Sequence, residues 1–202
     1  MSNAVNVDPG PVDAAPDQTQ EAPANMAVWV LIWAELTEFA LFFIVFVIVR
    51  SHEQELFSNG PTLLNTTAGV LNTILLLTSS YFVARAMAAI RVNKVKTSIR
   101  WMYGTIGCGL GYCAVKAWEY HWNHEQGLDS RTDLFYTIYY YLTFNHLLHV
   151  LVGMVAIGWA CLRAHWGHFT AESHEGYEGA ACYWHMIDLV WIIIFPLLYV
   201  MR

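Results

Sequence analysis

Ionisable side chains stand inside apolar stretches of this chain that are long enough to cross a bilayer. Near its end, Glu178, His185 and Asp188 interrupt a run of aromatic and aliphatic residues. On a helix turning 100° per residue, His185 lies about 20° from Glu178, and Asp188 lies about 60° further round. Because an ionisable group inside a membrane helix costs roughly 2.5–3.5 kcal/mol, we expect this stripe to face protein rather than lipid.

A pair of carboxylates lies in the first apolar stretch, where Glu35 and Glu38 are three residues apart. Such a pair is about 60° apart on a helix, and its members repel each other when both are ionised. The spacing is compatible with a site that holds or relays a proton. A hydrogen bond or ion pair to another helix or subunit is the favoured interpretation, with Glu38 lining the same groove.

Two histidines, His146 and His149, are three residues apart in another apolar stretch, and Gly153 follows one turn later. Histidines at this spacing can ligate a metal or haem, and His146 with His185 could supply an axial pair from two helices. The residues favour hydrogen-bonded packing over ligation, because no complete ligand set is recognisable from their spacing, and proton handling is a further alternative. We therefore predict no metal site in the chain.

Further polar residues mark the remaining apolar stretches. Asn72 lies within the second one, where we expect hydrogen bonds between helices. Lys116 and Glu119 are placed to form an i, i+3 ion pair near the outer interface. Gly107 and Gly111 form a small-xxx-small pair that predicts close approach of a neighbouring helix.

The elements that position these residues are predicted to be transmembrane helices. The chain has 202 residues, of which 56% are apolar and 13% charged, against roughly 25% charged in soluble domains. Each apolar stretch exceeds the roughly 20 residues that cross a bilayer, and helices satisfy their own backbone there. The predicted fold is an all-α bundle of five transmembrane helices over residues 26–202. Its spans lie at about 26–49, 64–90, 99–120, 133–163 and 176–201.

Charge outside the spans predicts a topology. Residues 1–25 are rich in proline and acidic residues, which is typical of a disordered tail. Basic residues with no acid among them lie between the second and third spans, so the positive-inside rule places the N-terminus in the cytoplasm and the C-terminus outside. No basic tract suggests binding to nucleic acid. The basic residues of this loop are Arg91, Lys94, Lys96 and Arg100.

Taken in order, these sequences resemble subunit III of the haem–copper oxidases, over about residues 29–200. The resemblance is to a short five-helix form without the first two helices of the seven-helix form, and it is nearest to the nitric oxide reductase accessory (NorE-type) branch. The matching motifs are Trp33-Ala34-Glu35-Leu36, Leu71-Asn72-Thr73, Glu119-Tyr120, Phe144 with His146, His149, Val150 and Gly153, and Glu178 with Tyr183-Trp184-His185, Asp188 and Val190-Trp191.

The resemblance implies a subunit that packs on subunit I, and also near subunit II, of a respiratory complex. Haem and copper would lie in those partners, and this chain would bind phospholipid but no cofactor of its own. Glu35 matches the family's membrane-embedded acid on the helix that faces subunit I and supports proton uptake. No role is implied for Glu38. The residues that match positions joining the later helices are His146, His149, Glu178, His185 and Asp188.

The function expected from the resemblance is that of a non-catalytic, multi-pass subunit III in the bacterial cytoplasmic (inner) membrane, serving aerobic electron transport. One alternative is a NorE-type accessory protein of nitric oxide reductase. Alternatives of another class are a membrane cytochrome or metalloenzyme that uses His146, His149 and His185, and a proton-coupled carrier that uses Glu35 and Glu38.

Overall fold

The computed structural model describes residues 25–169 and 174–201, and every regular element in these two ranges is helical. The all-α prediction is therefore confirmed for this part of the chain. Apart from Asn25, the predicted tail lies outside the described residues. The elements are α1 (Met26–His52), α2 (Gln54–Leu63), α3 (Thr66–Arg91), α4 (Val95–Glu125), α5 (Leu134–His165) and α6 (Glu175–Phe195), with a π-helical segment at Pro196–Val200.

Polar side chains set where three of the long helices begin. Asn25 accepts a hydrogen bond from the backbone at the start of α1, Asn65 does so at α3, and Asp133 at α5. Such caps satisfy amide groups that have no partner within the helix. Past the ends of α4 and α5, Gly127 and Gly167 have φ angles of 73° and 78°, a conformation that glycine adopts at little cost.

Four helical segments are both long and apolar enough to cross a membrane: α1, α3, α5 and Glu175–Val200, which joins α6 to the π-helical segment. The predicted third span, at about 99–120, lies on α4. This helix has 31 residues but does not reach the same hydropathy, in part because it contains Lys116 and Glu119. Length and composition thus support four of the five predicted spans.

The short helix α2 was not predicted from the sequence. Its Phe57 side chain is buried, with ring centroids 5.1 Å from Phe46 of α1 and 5.4 Å from Phe135 of α5. Gly60 lies so close to the Phe135 ring that a Cβ atom there would overlap it. This short helix therefore ties the end of α1 to the start of α5.

The core lies between α3, α4, α5 and α6, and α1 packs on α6 along one side. Large aromatic side chains fill it, among them Tyr112, Trp184 and Trp191. Close helix contact occurs at Gly109 of α4 and Gly153 of α5, where an added Cβ would meet Met154 and Ile187 respectively. The predicted glycine pair behaves differently: nothing lies within 4 Å of a Cβ at Gly107, and Gly111 has ordinary contacts.

Helical structure changes type at Pro196, because proline has no N–H to donate within the α-helix. The α-helical part of the last segment ends at Phe195, and Met201 N donates to Pro196 O at 2.9 Å. The wider π-helical turn places Leu198 and Tyr199 in the core.

Candidate functional site

A carboxylate and a histidine meet between α1 and α5. Glu35 Oε2 lies 2.7 Å from His149 Nε2, and the other ring nitrogen, Nδ1, lies 2.7 Å from the backbone oxygen of Asn145. The side chains are 20% exposed for Glu35 and 12% for His149, so the contact is nearly enclosed. The structure thus brings together two predicted site residues that are 114 positions apart in the sequence.

Glu38, one helical turn after Glu35 on α1, lies beside this contact. Its Oε1 accepts a hydrogen bond from Asn145 Nδ2 at 2.9 Å, and its side chain is exposed. Ligand atoms of Glu35, Glu38 and His149 all lie within 4.8 Å of one another. We call these three residues together with Asn145 the α1–α5 cluster.

His146 has a different environment from His149. Its ring is buried, stacks on Trp191 with centroids 5.1 Å apart, and meets Tyr112 edge-on at 5.7 Å. Neither ring nitrogen has a hydrogen-bond partner among the described residues. The packing of His146 is thus aromatic, whereas the sequence suggested hydrogen bonds.

The polar stripe of α6 faces α3. Glu178 lies 3.1 Å from Arg91 Nη2 and 3.2 Å from His174 Nε2, while His185 Nδ1 lies 2.7 Å from Ser80 Oγ. Asp188 is 4% exposed. His185 thus pairs with a serine of α3, whereas His146 stacks on Trp191, so the two histidines have different surroundings.

Asn72 is a buried residue of α3. Two further hydrogen bonds between α3 and α6 are made by residues near Asn72 on α3: Trp191 Nε1 donates to Thr73 Oγ1 at 3.0 Å, and Trp184 Nε1 donates to Ser79 Oγ at 2.9 Å. The side chain of Asn72 itself is fully buried without a hydrogen-bond partner among the described residues.

Lys116 and Glu119 form the expected i, i+3 ion pair, with 3.0 Å between Nζ and Oε2. The pair is fully buried between the helices of the bundle. Tyr139 and Tyr199 donate hydrogen bonds to Glu119 Oε1 at 2.8 and 2.6 Å, and Lys116 donates to Tyr199 at 2.8 Å. These four residues are the buried α4 cluster.

Little in the sequence indicates that these two tyrosines belong to the cluster. Tyr139 stands in a run of three tyrosines, and Tyr199 follows Pro196 near the end of an apolar stretch. A buried lysine and glutamate have to find hydrogen-bond donors and acceptors, which is the one signal that could have suggested them. Which tyrosines would reach the pair depends on the turn of α5 and on the π-helical segment.

Comparison with known proteins gives the family. A family model described as cytochrome c oxidase subunit III matches residues 21–202. The chain belongs to the cytochrome c oxidase subunit III family. It is 29% identical to cytochrome c oxidase subunit 3 of Thermostichus vulcanus, over 93% of this chain and 92% of that protein.

Two further relatives carry the same family description. The chain is 34% identical to cytochrome c oxidase subunit 3 of Synechocystis sp., over 83% of this chain and 71% of that protein. It is 27% identical to a probable cytochrome c oxidase subunit 3 of Nocardia farcinica, over the full length of both. The resemblance seen in the sequence motifs is confirmed at the level of the family. As a member of this family with membrane-length helices, the chain is a multi-pass membrane subunit of a haem–copper oxidase complex.

Proposed function

We propose that the chain is a non-catalytic subunit III that stabilises subunit I of a haem–copper oxidase and supports its proton uptake. The main support is that the family match extends over all the described helices. The geometry agrees, because the buried α4 cluster joins its ionisable groups between helices, as expected of a structural role. His146, with Trp191 stacked on it and Tyr112 against its edge, has an environment suited to packing rather than to an axial haem ligand.

We further propose that α4 also crosses the membrane, which makes it the third of five spans in chain order. Its 31 residues extend about 46 Å, which is more than the hydrocarbon thickness of about 30 Å. Residues 92–94 form a short turn between α3 and α4, with Asn93 at a φ of 57°. Since α3 and α4 pack against each other along their length, a helix that leaves this turn beside a membrane-spanning α3 crosses back through the bilayer. The charges of Lys116 and Glu119 are paired away from lipid.

Five crossings place the two ends of the chain on opposite sides of the membrane. The basic residues at the α3–α4 turn favour a cytoplasmic position for that turn, which puts the N-terminus in the cytoplasm and the C-terminus outside. The corresponding location is the bacterial cytoplasmic membrane.

Subunits I and II are the proposed protein partners and would carry the haem and copper, while phospholipid is the proposed ligand of this chain. A cleft of about 410 Å³ between α1, α5 and α6 supports lipid binding, because its walls are largely apolar. Leu31, Val152 and Trp159 are among the residues that line it. Glu35 is the proposed contributor to proton uptake.

Purification of the full chain with and without its complex tests this function. We expect the chain from detergent-solubilised membranes to co-purify with a haem-bearing subunit that consumes oxygen. We expect the separated chain to show no Soret band. A stoichiometric Soret band in the separated chain would instead support the membrane cytochrome. Proton-driven uptake by the chain alone in proteoliposomes would support the carrier, and nitric oxide consumption by the co-purified complex would support the NorE-type alternative.

A further inference from the structure

The end of the α3–α4 hairpin that is proposed to lie in the cytoplasm carries positive charge with few acidic partners. No aspartate or glutamate occurs in the sequence from residue 56 to residue 118. Arg91 at this end is paired with Glu178 of α6, at 3.1 Å. The other cations at this end are exposed, and their side chains form no ion pair or hydrogen bond within the described ranges, 25–169 and 174–201. These four residues, the hairpin basic patch, are Arg85, Lys94, Lys96 and Arg100.

Arg85 differs from the other three cations because it lies well inside a membrane-length helix. It stands six residues before the end of α3, which is about 9 Å along the helix axis. Trp101 stands six residues after the start of α4, and so at the same depth. The positive-inside rule accounts for cations in a cytoplasmic turn, but not for an exposed guanidinium at this depth. Because a charge is unfavourable in hydrocarbon, Arg85 has to reach an anion or water.

Aromatic rings hold the guanidinium of Arg85 at the surface of the hairpin. Its Cζ lies 5.8 Å from the centre of the Trp101 ring, which is a cation–π distance. The Trp101 ring is itself packed against Phe82 at 5.3 Å and Tyr81 at 6.2 Å. A ring face attracts the charge but does not replace the acceptors that five N–H donors require. The guanidinium is therefore positioned by the rings, while its hydrogen-bonding capacity is not used by any described residue.

The phosphate of a membrane lipid provides the missing acceptors at this depth. A guanidinium binds phosphate oxygens in a bidentate manner, and a long cationic side chain extends toward the headgroups while its stem stays in apolar surroundings. Toward the middle of the membrane, the exposed surface of the same two helices is apolar, so acyl chains can lie along it. Residues of this apolar surface include Ile74, Leu77 and Leu110.

The net charge of the patch selects between headgroups. A zwitterionic lipid places its own ammonium group beside the phosphate, whereas an anionic lipid leaves the negative charge uncompensated. Lys94 and Lys96 also stand at the N-terminal end of α4, where no acidic residue is present and positive charge is unfavourable with the helix dipole. An anionic headgroup relieves the repulsion among these groups, and a zwitterionic one does so less.

We propose that the hairpin basic patch, with Trp101, is a binding site for one anionic phospholipid, whose phosphate contacts Arg85. This site is separate from the apolar cleft between α1, α5 and α6, because none of its residues lines that cleft. The proposal rests on the proposed crossing of the membrane by α4, and it assigns a headgroup class to a lipid ligand of this chain.

Lipid titration of the full chain, separated and in its complex, tests the proposal by native mass spectrometry. The probes are phosphatidylglycerol and phosphatidylcholine with identical oleoyl chains, so that only the headgroups differ. We expect the wild type to bind phosphatidylglycerol at least about fivefold more tightly. Arg85→Gln should weaken binding of phosphatidylglycerol about fivefold, as expected for one cation near the membrane surface, and change that of phosphatidylcholine little. Trp101→Leu should weaken it about two- to fivefold.

Arg131→Gln is the matched control, because it also removes one exposed positive charge, but from the α4–α5 loop at the opposite end of α4. The affinity for phosphatidylglycerol should be unchanged in this variant. The double variant Lys96→Gln/Arg100→Gln changes only exposed side chains and should also weaken the binding, which keeps the test intact if Arg85→Gln does not fold. Thermal unfolding in lipid-free detergent shows which variants are folded.

Three outcomes would overturn the proposal. They are equal affinity of the wild type for the two lipids, unchanged affinity for phosphatidylglycerol in a folded Arg85→Gln or double variant, and an effect of Arg85→Gln that disappears in the complex. The last outcome would assign the patch to an acidic segment of a partner subunit. Lipid affinity is measured independently of the Soret band and of oxygen consumption, so failure of this proposal is distinguishable from failure of the proposed oxidase function.

Discussion

At the scale of single residues, the buried α4 cluster takes two charged groups out of water. Lys116 and Glu119 are both fully buried, and rings of Tyr139 and Tyr199 lie 5.0 and 5.5 Å from the lysine ammonium. Removing charges from water is expensive, and this cost is offset only when the partners and hydrogen bonds are all in place. The cluster therefore acts as one unit whose members cannot be removed singly without loss.

Replacing one member of the ion pair should destabilise the protein strongly. We expect Lys116→Met to lower the free energy of unfolding by about 3–5 kcal/mol, because Glu119 is then left as an unpaired buried charge. The double variant Lys116→Met/Glu119→Leu should recover part of this loss. Thermal unfolding in detergent, followed by tryptophan fluorescence, measures both. Equal destabilisation of the single and double variants would contradict a coupled pair.

His124 offers a contrast at the exposed end of α4, beyond the proposed span. Its Nδ1 lies 2.8 Å from Asp129 Oδ1, and this hydrogen bond, together with the charge of Asp129, raises the pKa of His124 above its ordinary value of 6.5. A raised pKa in the folded state means that the pair contributes stability below the unfolded-state pKa. This contribution is lost as the pH rises through the folded-state pKa.

The Asp129→Asn variant should return the pKa of His124 toward about 6.5. A pH titration of the histidine ring carbons by NMR measures the change. The resonance of His121, on the same end of α4, serves as an internal reference. If the titration of His124 were the same in the variant and the wild type, the pair seen in the structure would not form in solution.

At the scale of elements, the positions where helices approach most closely differ from those that the glycine pattern suggested. Gly153 of α5 faces Trp184 and Ile187 of α6, whereas Gly107 of α4 has open space around it. Spacing along one helix identifies small residues but does not say which face meets a neighbour. That information depends on how α4 and α5 are rotated, which is a property of the whole bundle.

Two alanine substitutions make this difference measurable. Gly153→Ala should destabilise the protein by about 1–3 kcal/mol, because the added methyl group meets the indole of Trp184 and the end of Ile187. Gly107→Ala should be neutral or stabilising by up to about 1 kcal/mol, because alanine favours a helix and nothing lies within 4 Å. Thermal unfolding of the two variants measures the difference. A Gly107→Ala protein less stable than the Gly153→Ala protein would contradict the packing described here.

At the scale of the whole molecule, the sequence predicted the helical class, the positions of four membrane-length segments and the family. These follow from local properties: runs of apolar residues and the order of short motifs. It did not predict that Glu35 meets His149, that Glu38 meets Asn145, or that Tyr199 reaches Glu119. These contacts join residues 80 to 114 positions apart and depend on the packing of several helices. The short helix α2 was missed because polar residues and Pro61 outnumber its apolar ones.

The proposed topology makes a prediction about accessibility across the membrane. A cysteine placed at Lys94, in the α3–α4 turn, should react with a membrane-impermeant maleimide only after cells are permeabilised. A cysteine at Asp129, between α4 and α5, should react in intact cells. The four natural cysteines lie within α4, α5 and α6, and the parent chain measures their background labelling. Labelling of both positions from the same side would exclude a membrane-crossing α4.

The buried ion pair of α4 bears on how the chain is inserted during its synthesis. When α4 leaves the ribosome, Tyr139 and Tyr199 have not yet been made, so Lys116 and Glu119 lack the hydroxyl groups that later surround them. A segment with two such residues and modest hydropathy is a poor substrate for insertion by itself. In the proposed five-span topology, the short turn after α3 lets the two helices enter as a hairpin, in which the apolar α3 draws α4 into the bilayer. Biogenesis of this subunit would then depend on the α3–α4 turn as much as on the hydropathy of either helix.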